Sequence, residues 1–155
     1  MTPPPLPPDL DEQTRRALAV GLFNRVWQLL ATDDRTAEQD DEMVDAAHAS
    51  RYHWGHIGSA ENYAVGEWQI SRVYSVLGRG EPALHHARRC LAIVEENTLA
   101  PWTLGSAFEA MARATAVAGD PEAASWRAKA VAQLDLIDDP DDRAVVARDV
   151  ASLPE

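Results

Sequence analysis

Apolar residues recur along this chain at spacings of three and four, the period of a helix that buries one face. The first such segment starts near Asp9 or Asp11 and carries two adjacent rows, Leu18-Leu22-Leu29 and Val20-Phe23-Trp27-Leu30, before the polar run Thr32–Thr36 breaks it. A second runs from about Ala37 to Trp54, with Met43, Ala47, Ser50 and Trp54 on one side, and Gly55–Ser59 ends it. The third, from about Ala60 to Leu77, aligns Tyr63, Ile70, Tyr74 and Leu77 with Trp68 beside them. The fourth opens at Glu81-Pro82 and places Ala83, Leu84, Ala87, Cys90, Leu91 and Val94 inward. The fifth opens at Pro101 and sets Leu104, Phe108, Met111, Thr115 and Ala118 in register. The sixth follows Gly119-Asp120-Pro121-Glu122 with Ala123, Ala124, Ala130, Val131, Leu134 and Ile137 as its inward set. Asp139-Pro140-Asp141-Asp142 opens a last short helix through Val145, Val146 and Val150 to Leu153. The cap residues, first-turn prolines and closing glycines stand where helix ends need them. No stretch alternates as a half-buried strand does, and no Asn-Gly or Asp-Gly hairpin turn occurs.

Seven helices on short connections pack as antiparallel neighbours. Gly78 and Gly119, each closing a helix ahead of another, lie 41 residues apart. Shifting the fourth helix by 40 residues places its apolar set on that of the sixth, so helices three and four form one hairpin and helices five and six a second of the same design. Helices one and two fit as a third, degenerate hairpin, with the seventh closing the open end. The fold class is therefore all-α: stacked antiparallel helical hairpins in a single helical-repeat domain over residues 9–155, after a disordered proline-rich tail at residues 1–8.

The turn Tyr74-Ser75-Val76-Leu77-Gly78-Arg79-Gly80-Glu81-Pro82-Ala83-Leu84 resembles that of the tetratricopeptide repeat family, with tyrosine on the first helix, glycine at the turn and alanine on the second helix. Thr115–Ala124 looks similar without the tyrosine. The resemblance covers about Ala37 to Ile137, with a period of about 40 residues against the 34 of that family. It implies a right-handed stack of helical hairpins whose concave surface binds a peptide or another protein.

Composition narrows the partners. The 155 residues hold 14 Lys plus Arg against 25 Asp plus Glu, a net charge of -11. Nucleic acid and anionic membrane select basic surfaces, so neither is expected as the main partner. No apolar run is long enough to span a bilayer. The start lacks the parts of a signal peptide, and Cys90 is the single cysteine, which together suggest a reducing, cytoplasmic interior. The partner expected is a protein or peptide, with a second copy of this chain among the candidates.

Polar residues that the helical pattern does not absorb gather at the turn between helices two and three. The candidate binding residues are His48, Tyr52, His53, His56, Glu61 and Glu67. His53 and His56, three apart, with Glu61 five later, are a candidate set for a divalent metal such as zinc. No HExxH motif or CxxC pair accompanies them. A small metal-dependent or ligand-binding enzyme built on this cluster is thus the rival of a non-catalytic interaction module. Glu67 stands in an otherwise inward row, where a carboxylate needs a cation: Arg51, Arg72 or a histidine of helix two. Trp27, Trp54 and Trp68 read as core, Trp102 and Trp126 as surface. His86 lies four residues before Cys90, which reads as an inert buried thiol.

Overall fold

The computed structural model of the chain describes residues 1–2 and 10–155. Most of the tail assigned to residues 1–8 therefore lies outside the described residues. Among the described residues there are seven α-helices and no strand: α1 (Glu12–Leu30), α2 (Ala37–Ile57), α3 (Ala60–Val76), α4 (Gly80–Glu96), α5 (Pro101–Val117), α6 (Ala123–Leu134) and α7 (Pro140–Ala151). None of them is long and apolar enough to cross a membrane.

The ends form where the local chemistry places them. Asp11 accepts the Thr14 amide at 2.8 Å, Thr36 and Gln39 form a reciprocal capping box, and Asp139 accepts the amides of Asp141 and Asp142. Each satisfies amides that the first turn of a helix leaves open. Gly78 and Gly119 both have φ of 71°, a left-handed conformation that costs glycine nothing. In both turns the amide that follows the glycine bonds back to a carbonyl five residues earlier, Arg79 to Tyr74 and Asp120 to Thr115, each at 2.9 Å.

Packing is densest within α1–α2, α3–α4 and α5–α6, as expected of consecutive hairpins, and α7 packs on α5 and α6. Three buried clusters run along the stack. The first joins Val26, Leu29, Met43, Ala47, Ile70 and Val73. The second joins Ala83, Ala87, Cys90, Ala107, Met111 and Ala114. The third joins Ala130, Ile137, Val146, Val150 and Leu153.

Small residues set the spacing between helices. A methyl group on Gly80 would lie 2.6 Å from the Ala118 Cα, so the start of α4 rests on the end of α5.

Two registers differ from the periodic reading. On α6, Ala124 and Val131 face solvent, while Ala130 and Gln133, and Ile137 just past the helix end, are buried. Two more residues separate Gly119 from α6 than separate Gly78 from α4. The match between the two helices is therefore 43 residues rather than 40: Ala87 with Ala130, Cys90 with Gln133, Val94 with Ile137. On α1 the buried row is Arg15, Ala19, Val26 and Leu29, whereas Leu18 and Val20 are exposed. As the terminal helix, α1 packs mainly on α2 and buries one side only.

Candidate functional site

The turn between α2 and α3 gathers fewer of its polar residues than their spacing suggests. Tyr52 meets His53 and His56 with ring centroids 5.6 and 4.9 Å apart, and Arg15 donates to His53 Nδ1 at 3.3 Å. Burial, then the charges of Arg15 and His56, hold His53 below the ordinary imidazole range. Glu61 is exposed in the first turn of α3, beside Val20, Phe23 and Trp54. Among the described residues no three His, Cys, Asp or Glu side chains are arranged to hold a metal ion, so His53, His56 and Glu61 do not form such a set.

His48 and Glu67 belong to a different cluster, shared among α2, α3 and α4. Glu67 is 1% exposed. It accepts from His86 Nδ1 at 2.6 Å and from Arg89 Nε at 3.0 Å, both on α4, with Arg51 Nε of α2 3.2 Å away. Burial pushes this carboxyl up, but the His86 hydrogen bond and the charges of Arg89, His86 and Arg51 prevail and hold it below the ordinary range. Tyr74 hydrogen bonds His48 Nε2 at 2.9 Å and stacks on His86. Burial and the neighbouring His86 lower the pKa of His48. Of the expected partners of Glu67, Arg51 is present. Arg72 instead serves Glu109, and the histidine comes from α4. The cluster bolts α2, α3 and α4 together.

Glu109 of α5 repeats the device and has no counterpart in the sequence reading. Also 1% exposed, it accepts from Trp68 Nε1 at 2.8 Å, Arg113 Nε at 2.7 Å and Arg72 Nη1 at 3.3 Å. Trp68 precedes it by 41 residues, the spacing of the turn glycines, so this bond joins equivalent positions of successive hairpins. Arg113 continues to the Asp149 carbonyl and to Ser152 Oγ, which ties α5 to α7.

A cleft of about 620 Å³ opens between α1 and α7, with α3 and α5 as its floor. Its aromatic lining is Phe23, Trp27, Trp68 and Trp102. Trp27 and Trp68 meet at 5.6 Å, and Trp27 remains 36% exposed at the rim. Trp27 is thus a wall of the cleft more than core, and Trp102 lines it as well. Trp126, expected at the surface, packs against Phe108 and the third buried cluster. Cys90 touches the cleft from below, 2% exposed, its thiol pushed up to about 12 by burial and by the charges of Glu67 and Glu109. Such a thiol is inert as a nucleophile. What the cleft offers is a large apolar surface, the Ser106 side chain, and the charged residues Asp142, Arg148 and Asp149. Cavities of several hundred Å³ with mostly apolar walls and few polar groups are the usual form of binding sites.

No family model, curated protein or solved structure matches the chain.

Proposed function

We propose that the chain is a non-catalytic interaction module of the tetratricopeptide-like kind, and that the cleft between α1 and α7 receives a segment of a partner protein. The observation that carries this reading is the cleft itself: four aromatic side chains from three helices of the stack, α1, α3 and α5, converge on one apolar trough. Exposed apolar surface of that kind mostly marks an interaction site. The hairpin order supports the same reading, since the odd-numbered helices α1, α3, α5 and α7 all contribute to this one face. The cytoplasmic setting read from the composition suits such a module.

The rival centre at the turn between α2 and α3 is separable by experiment. Ser106→Trp fills the cleft, and a paired His53→Ala, His56→Ala substitution removes the turn imidazoles. With helix content retained in both, a partner captured from native extract is expected to be lost with Ser106→Trp and kept with the histidine pair. The opposite pattern would move the site to the turn.

A further inference from the structure

The cleft is chemically one-sided. Its α1, α3 and α5 walls are aromatic, aliphatic or uncharged, and its charged lining residues, Asp142, Arg148 and Asp149, all come from α7. Asp138, Asp139 and Asp141 stand exposed at the start of that helix. Of the two arginines in this region, Arg143 is occupied by the carbonyls of Ile137 and Asp138, and Arg148 is exposed. One edge of an apolar trough is therefore acidic.

Asp149 is the sharpest feature of that edge. Its side chain is 19% exposed, and its nearest cation, Arg72 Nη1, is 4.0 Å away. That same nitrogen already donates to Glu109. Burial, and then the negative charge of Glu109, push the Asp149 carboxyl above its ordinary range. The charges of Arg72, Arg113 and Arg148 offset this only in part. A half-buried carboxylate whose counter-charge is incomplete is costly to keep, and it gains from a cation brought into a site where water is displaced.

We propose that the occupant of the cleft is a basic amphipathic peptide segment of a partner protein, its apolar side chains lying on Trp27, Trp68 and Trp102 and a lysine or arginine reaching Asp149. The proposal rests on the reading of the cleft as a docking groove. Aromatic faces beside the carboxylate favour a cation on a long apolar stem. An acidic segment would meet the α7 edge as like charge, and a neutral one would desolvate Asp149 further with only the long Arg72 ion pair to hold it.

The test uses two 14-residue blocked peptides with the same leucine-rich amphipathic pattern, one with lysine and one with glutamine at every polar position. Each is titrated into the full chain, followed by tryptophan fluorescence and calorimetry. The variants are Asp149→Asn, Asp41→Asn (the same charge change on α2, outside the cleft) and Ser106→Trp, with the uncharged Val145→Trp at the exposed rim replacing the last if it unfolds. The lysine peptide is expected to bind roughly tenfold tighter or more. That preference should vanish in Asp149→Asn and persist in Asp41→Asn, while the blocked cleft loses both peptides. Equal loss in Asp149→Asn and Asp41→Asn would mean diffuse charge attraction and overturn the assignment. Equal binding of both peptides, abolished by the blocked cleft, would also overturn it and leave the docking groove standing. No binding, or binding indifferent to the blocked cleft, would sink the groove and the proposal together.

Discussion

Glu67 shows what a single residue does here. Two guanidinium groups and an imidazole from two neighbouring helices converge on it, so removing the carboxylate strands them together. Glu67→Ala is expected to destabilise the fold by about 3–5 kcal/mol in urea titration. Its pKa in the folded chain lies below the ordinary 4.5, so its contribution is complete above that value and is lost as pH falls through the lowered folded value. His48 is likewise lowered, below 6.5, and adds stability that starts to drain away earlier, as pH drops under 6.5. Stability measured against pH should therefore fall in two stages on acidification, with the first stage, to which His53 also contributes, reduced in His48→Gln. Asp149 runs the other way. Its folded pKa is raised, so the ionised carboxylate costs stability once pH exceeds the ordinary 3.8. Asp149→Asn should thus melt at the same temperature as the parent or higher at pH 7, and a fall of several degrees would show that the carboxylate is structural.

At the scale of elements, the glycines separate close approach from permissiveness. Gly21 lies inside α1, and a methyl group there would touch nothing within 4 Å, so Gly21→Ala should stabilise by about 0.5–1 kcal/mol. Gly80→Ala drives a methyl group into Ala118 and should cost about 1–3 kcal/mol. Chemical denaturation of the two variants checks both signs, and a stabilised Gly80→Ala would mean that α4 and α5 are free to separate. The helices themselves were legible, because caps, closing glycines and first-turn prolines act locally. The registers were less so. A longer turn before α6 moves its inward face without altering the apolar count, and the buried Arg15 meets His53 across on α2. Glu67 could be recognised as needing a cation, yet His86 and Arg89 come from the next helix, and their approach depends on how hairpins dock. Glu109 is hidden differently: α5 is buried on nearly every side by Ala, Gly and Thr, so no single stripe singles it out. The 41-residue spacing from Trp68 was its one trace.

On the scale of the whole molecule, α7 both closes the third cluster and supplies one wall of the cleft. Deleting residues 138–155 would expose Ala130 and Ile137, and it would remove the Asp149 and Ser152 acceptors of Arg113. Amides of α5 and α6 should then exchange with solvent markedly faster than those of α2 and α3, as hydrogen exchange would report. Uniform protection would show that the first six helices stand alone. The cleft was out of reach of sequence reasoning for a related reason: Phe23 and Asp149 share it from opposite ends of the chain.

The paired acids have a consequence for how this protein can change over time. Repeat arrays commonly lengthen or shorten by copying or losing a unit, because each unit meets its neighbours through interchangeable apolar faces. In this chain each inner joint carries one buried acid whose cations and donors come from particular flanking helices: Glu67 from α2 and α4, Glu109 from α3 as well as its own helix. A duplicated or deleted hairpin would set an acid beside the wrong neighbour. The joints are keyed, so the number of hairpins is locked, and variation is left to the surface of the trough.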